Sequence, residues 1–188
     1  MVRLRIAIVV ATGLLLPRFA EAQPGGAITG MLAAHIGAAS GGDTDSAGLT
    51  PVGSMAVLES TGWGAELELG HTRGFASDIF EDSEITTVMV NAIGMWPRTR
   101  WRPFGTGGVG LMRVHAALAG DGPSLSRTDW GVNGGAGMMY VVNEAVGVRG
   151  DVRYFRYLQR HDDLPQSDRG YFDFWRTTIG VTWSWPIR

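Results

Sequence analysis

From Trp63 to Gly70 the chain alternates with a period of two: Trp63, Ala65, Leu67 and Leu69 are apolar or small, while Gly64, Glu66, Glu68 and Gly70 intervene. That period places one set on each face of a β-strand. The same pattern returns with Trp130, Val132, Ala136, Met138 and Tyr140 against Asp129, Asn133 and glycines. It returns again with Val146, Val148, Val152 and Tyr154 against Arg149, Asp151 and Arg153, and with Trp175, Ile179, Val181, Trp183 and Trp185 against Arg176, Thr178, Thr182 and Ser184. Eight strands are predicted, at 27–38, 51–58, 63–71, 84–96, 101–115, 128–141, 146–157 and 171–185. Their connections are alternately long and polar (40–50, 72–83, 117–127, 159–170) and short (59–62, 97–100, 142–145). Such a rhythm belongs to an antiparallel meander with tight turns at one end and surface loops at the other.

Alternation by itself is the same whether the apolar face points in or out. Aromatic placement distinguishes the two. Trp63, Trp96, Trp101, Tyr140, Trp183 and Trp185 fall at strand ends on the turn side, and Trp130, Tyr154 and Trp175 lie near the loop side. Two aromatic girdles bounding an apolar face are what a lipid-exposed barrel surface requires. The expected fold is therefore all-β, an eight-stranded antiparallel transmembrane up-and-down β-barrel, with both termini periplasmic and the long loops outside. The inward set is then Glu66, Glu68, Asn91, Asn133, Arg149, Asp151, Arg153 and Arg176. Charges in so narrow an interior are tolerated only when paired, which predicts an ion-pair network among Glu66, Glu68, Arg149, Asp151, Arg153 and Arg176. The fifth strand leaves its facing open: Arg102, Phe104, Met112 and Val114 share one parity, Val109, Leu111 and Arg113 the other.

The first residues call for separate treatment. Arg3 and Arg5 precede an apolar run over 6–16, and Ala20-Glu21-Ala22 presents small residues at a cleavage position. This pattern predicts a signal peptide over 1–22 and a single barrel domain over 23–188. With no cysteine, neither disulfides nor thiolate metal sites are available. A net charge of −2 gives no clustered basic surface for nucleic acid. The 28 glycines argue against helices, whose interiors they destabilise, and suit strands that bend and pack closely.

The segments Arg102-Pro103-Phe104-Gly105-Thr106-Gly107-Gly108-Val109-Gly110, Gly131-Val132-Asn133-Gly134-Gly135-Ala136-Gly137 and Val146-Gly147-Val148-Arg149-Gly150-Asp151-Val152-Arg153-Tyr154 resemble the small outer-membrane β-barrel family of Gram-negative bacteria. The family is that of the eight-stranded proteins akin to the membrane domain of outer membrane protein A. The resemblance implies an integral outer-membrane protein with a structural or surface-interaction role. It implies lipid and lipopolysaccharide around the barrel. Thr178, Gly180, Trp183 and Trp185 resemble the terminal signal read by the barrel-insertion machinery, although Pro186-Ile187-Arg188 follow the last aromatic residue.

Other constellations carry less. Gly105-Thr106-Gly107-Gly108-Val109-Gly110 has dinucleotide-binding spacing but lies between strands, where that motif needs a following helix. His35, His71, His115 and His161 show no metal-binding spacing. Asp43, Asp45, Asp78, Glu81, Asp82, Glu84, Asp162, Asp163 and Asp168 crowd the long connections, as solvated tips or as ligands for divalent cations. Ser126 and His115 flank the third long connection and are pieces of a nucleophile and base. No enzyme, cofactor or metal is expected, and the alternatives to a closed barrel are a narrow solute channel and a soluble lipocalin-like carrier.

Overall fold

The computed structural model describes residues 28–42, 44–75, 80–96, 100–118, 124–159 and 172–187. The segment 1–22, read above as a signal peptide, lies outside the described residues, as do the loop residues Asp43, Asp78, His161, Asp162, Asp163 and Asp168. Eight strands follow one another: β1 (Ile28–Gly41), β2 (Thr44–Leu58), β3 (Trp63–Arg73), β4 (Phe80–Met95), β5 (Trp101–Leu118), β6 (Ser124–Val141), β7 (Val146–Tyr157) and β8 (Asp173–Ile187). Each pairs antiparallel with its sequence neighbours, and β1 closes on β8 through registers such as Leu32↔Trp183 and Ile36↔Ile179. Closure leaves no sheet edge with unpaired backbone groups, the condition for a sheet to stand in lipid.

The strands run further toward the loop end than the polar sequence there suggested. Residues 40–50, expected as a long loop, are instead mostly ladder: Gly41 pairs with Thr44 and Ala38 with Leu49. Above a membrane both faces of a strand can be wet, so polarity there does not end a strand. Gly41 and Gly42 have φ of 73° and 64°, the left-handed region that side chains resist, and the Thr44 hydroxyl donates to the Gly41 carbonyl at 2.8 Å. Those two features permit a tight reversal where a loop was expected. A Cβ at Gly42 would also run into Asp173 across the barrel seam. Gly42→Val is expected to destabilise the barrel by more than about 1 kcal/mol, read from the urea midpoint of tryptophan fluorescence.

The structure also decides the end of β8 and the facing of β5. β8 continues beyond Trp185: Pro186 pairs with Thr29 and Ile187 with Ile28, so these two residues belong to the barrel wall. β5 resolves its ambiguity by facing Phe104, Met112 and Val114 inward and Val109, Leu111 and Arg113 outward, with Arg102 half-buried at the turn end.

The parity of every strand puts the apolar set outside. Leu67, Leu69, Val90, Ile179 and Val181 are more than half exposed, while Glu66, Glu68, Arg149, Arg153 and Arg176 are buried. A soluble carrier needs the reverse arrangement, with Leu67 and Ile179 lining a pocket. So large a continuous apolar exterior marks a surface that faces an apolar surrounding and not water.

The interior is filled in three tiers, as an eight-stranded barrel is narrow enough to allow. Near the turn end Met31, Ala56, Leu58, Ile93, Met95, Phe104 and Met139 form one apolar cluster. Near the loop end Ile85, Met89, Met112, Phe155, Tyr157 and Phe174 form the centre of another. Between them lies the charged tier.

Candidate functional site

β3, β7 and β8 supply the charged tier. Because inward residues recur every second position, Glu66 and Glu68 project from β3, and Arg149, Asp151 and Arg153 from β7. Arg176 enters from β8. The Arg149 guanidinium donates to both Glu66 oxygens at 3.2 and 3.3 Å, and Arg153 Nη2 to the same pair at 3.1 and 3.3 Å. Arg153 also lies 2.8 Å from Glu68 and donates to Asp151 at 3.2 Å, while Arg176 pairs with Glu68. Three carboxylates thus face three guanidinium groups, all buried. The tier is neutral as a unit. Asn133 donates to Asn91 at 2.7 Å beside it, and Thr178 donates to Asp151 at 3.2 Å.

The arginines also tie this tier to its neighbours. Arg149 stacks over Phe104 at 4.2 Å toward the turn end, and Arg176 over Phe155 at 4.5 Å toward the loop end. A guanidinium that presents its edge to carboxylates and its face to a ring satisfies both surroundings. Phe155 in turn stacks on Phe174 with centroids 4.9 Å apart and planes 5° from parallel. At the turn end a cavity of about 480 Å³ has Arg100, Arg102, Met139 and Trp185 in its wall.

The outward tryptophans and tyrosines occupy two levels. Trp101 packs on Tyr140 at 4.8 Å near the turns, and Tyr154 on Trp175 at 5.1 Å near the loops. Trp63, Trp96, Trp183 and Trp185 also lie outward on the turn side, and Trp130 on the loop side. Trp63 lies over Gly94 and Trp185 over Gly30, each across its strand pair, so the missing side chain of the glycine seats the indole. Eight residues separate Trp175 from Trp183 on β8. At ~3.4 Å per residue and ~40° tilt this is roughly 21 Å along the barrel axis, near the ~25 Å height of an apolar membrane band. Thr178 points inward, whereas Trp183 and Trp185 point outward on the same strand as Gly180.

At the loop end the outward face of β3 to β6 turns polar. His71 and Arg73, Glu84 and Thr86, Arg113 and His115, and Ser126 and Thr128 occupy neighbouring positions, with registers Glu84↔His115↔Ser126 and Thr86↔Arg113↔Thr128. An acid, an imidazole and a hydroxyl therefore share one line across three strands, which the linear sequence does not reveal. Their contacts are not those of a nucleophile, base and orienter. Arg113 Nε donates to the Ser126 hydroxyl at 3.3 Å, and the Glu84 carboxylate lies 3.6 Å from Arg73 and 3.8 Å from His71. His115 Nδ1 is enclosed without a hydrogen-bond partner. A cavity of about 260 Å³ opens among Glu84, Thr86, Arg113 and His115.

Sequence parity missed the apolar tiers, although Phe155 and Tyr157 share the parity of Arg149 and Arg153, and Phe174 that of Arg176. His35, also inward, sits 3.5 Å from the Thr178 hydroxyl. The dinucleotide-like glycines lie within β5, paired on both sides, with no helix after them. Among the described residues no group of His, Asp and Glu is arranged to hold a metal ion.

The outer membrane protein beta-barrel domain family matches residues 6–185. Solved structures of similar fold include the Neisserial surface protein A, with TM-score 0.60 and 14% identity over 87% of this chain and 99% of that one. The N-terminal β-barrel domain of Pseudomonas aeruginosa OprF has TM-score 0.57 and 16% identity, over 86% and 100% of the two chains. The attachment invasion locus protein Ail of Yersinia pestis, solved with the heparin analogue sucrose octasulfate, has TM-score 0.52 and 15% identity, over 85% and 97%. No curated protein sequence matches the chain.

Proposed function

Since the chain belongs to the outer membrane protein beta-barrel domain family, we propose that it works as a closed integral barrel of the outer membrane, supporting the envelope and presenting its loops at the cell surface. The observation that carries this reading is the filled interior: among the described residues a neutral tier of buried ion pairs lies between two apolar tiers. A narrow channel would need a continuous line of solvated groups, and the Phe155–Phe174 stack interrupts it. The short turns and both termini face the periplasm, and the long connections face outward. The two aromatic levels act as interfacial girdles, and the bilayer lipid with its lipopolysaccharide is the permanent partner. Thr178, Gly180, Trp183 and Trp185 serve as the insertion signal. The polyanionic heparin analogue bound to the Yersinia protein is a poor guide to the loop ligand here, because the long connections of this chain are rich in carboxylates.

The test combines gel mobility with conductance. Protein from the outer-membrane fraction is expected to run faster unboiled than boiled in detergent, and to give no sustained current steps in planar bilayers. Steady single-channel steps would replace the closed-barrel reading with the channel. An epitope inserted after Asp163 is expected to be stained on intact cells; staining only after lysis would reverse the orientation.

A further inference from the structure

We propose that the polar rim on β3 to β6 is a binding site for the phosphate group of an outer-leaflet glycolipid, centred on Arg113 and His115. The assignment rests on the outward, lipid-embedded reading of this face and adds residues and a ligand to it. Four observations support it together.

First, height: Leu69, Val88, Leu111 and Trp130 are the next outward residues toward the turn end from His71, Thr86, Arg113 and Thr128 on their strands, and all four are exposed. Acyl chains along the first set bring a headgroup to the second. Second, charge: Arg73 is matched by Glu84, whereas among the described residues no carboxylate pairs with Arg113, whose only polar partner is the Ser126 hydroxyl. One guanidinium is therefore left over at headgroup height, where phosphate oxygens are its natural partners. Third, shape and donors: the cavity of about 260 Å³ has Arg113 and His115 in its wall, together with Thr86 and Glu84. The enclosed His115 Nδ1 lacks a partner, and the hydroxyls of Thr86 and Ser126 stand on neighbouring strands.

Fourth, asymmetry: at the corresponding outward positions β8, β1 and β2 present Trp175, Ala38, Ser40, Leu49 and Pro51, with no cation among them, and β7 presents Arg156 directly across from Asp173 of β8. A general affinity for an anionic surface would leave unmatched basic residues around the rim, whereas a cation with no facing carboxylate, standing beside a cavity, fits one defined headgroup. Glu84 is the other titratable group in the wall of this pocket, and it lies 3.6 Å from Arg73 and 3.8 Å from His71, so that Arg113 faces no carboxylate among the described residues.

The experiment uses the folded protein in non-ionic detergent micelles and native mass spectrometry, with bisphosphorylated lipid A and its enzymatically dephosphorylated form as probes. The parent is expected to bind the phosphorylated lipid about tenfold more tightly than the dephosphorylated one, the effect of one charge-assisted hydrogen-bond set. Arg113→Gln is expected to abolish that difference, and Arg156→Gln, outward on β7 beyond the patch, to preserve it. Inorganic phosphate at millimolar concentration is expected not to displace the lipid, since the acyl contacts are part of the site; displacement would make this a free-phosphate site and overturn the lipid assignment. Equal binding of the two lipids by the parent, or an unchanged preference in Arg113→Gln, would also overturn it. Unboiled gel mobility reports the folding of each variant, so loss of the barrel and loss of the site are read separately.

Discussion

Arg153→Met is expected to lower the unfolding free energy of the vesicle-embedded barrel by about 3–5 kcal/mol, the cost of stranding a buried partner charge. Among the described residues Arg153 is the only guanidinium in contact with all three carboxylates of the tier, Glu66, Glu68 and Asp151. Methionine replaces much of its stem but no donor, leaving three carboxylates opposite Arg149 and Arg176. The net charge of this buried tier becomes −1. Adding Glu68→Gln restores neutrality and is expected to recover part of the loss, because directly coupled residues do not add independently. Urea titration followed by tryptophan fluorescence measures both. A loss under about 1 kcal/mol in Arg153→Met would mean that the tier is hydrated or that a carboxylate takes up a proton at little cost.

Phe155→Ala provides the second large effect, again about 3–5 kcal/mol, and its contrast with an outward residue is as informative as its size. Phe155 is fully buried, stacks on Phe174, and lies beneath the Arg176 guanidinium. Its removal costs the transfer term, a cavity that the surrounding strands cannot close, and the cation–π contact. Ile179→Ala, on the outward face at 60% exposure, loses only the transfer term of about 2 kcal/mol, at ~0.8 kcal/mol per methylene. Lipid chains fill the space it leaves. Equal losses at the two positions would indicate that the outward face meets protein and not hydrocarbon.

Legibility in the sequence differed among residues for a physical reason. Glu66, Glu68, Arg149, Asp151, Arg153 and Arg176 could be grouped in advance because each occupies the polar phase of a period-two pattern whose other phase is apolar. Phe155, Phe174, Met89 and Met112 occupy the same inward phase but are apolar themselves, so a contrast of polar with apolar hides them. Residues 40–50 were misread as loop because polarity marks solvent, and β1 and β2 extend into solvent while remaining paired. Arg113 was ambiguous because β5 has apolar residues in both phases over 104–114, its inward side facing apolar tiers and its outward side facing lipid.

The number of strands, their antiparallel order, the alternation of turns and loops and the inward phase of Glu66, Glu68, Arg149, Asp151, Arg153 and Arg176 can all be read along the chain. All of these follow from local periodicity, which each strand expresses in its own residues. Which charge meets which, how the tiers stack inside the barrel, and the line of Glu84, His115 and Ser126 beside Arg113 emerge only in the folded barrel. Those facts depend on register across strands and on the closure of β1 against β8. Register is set by the joint fit of eight side-chain ladders around one narrow axis, and no single segment of the chain encodes it.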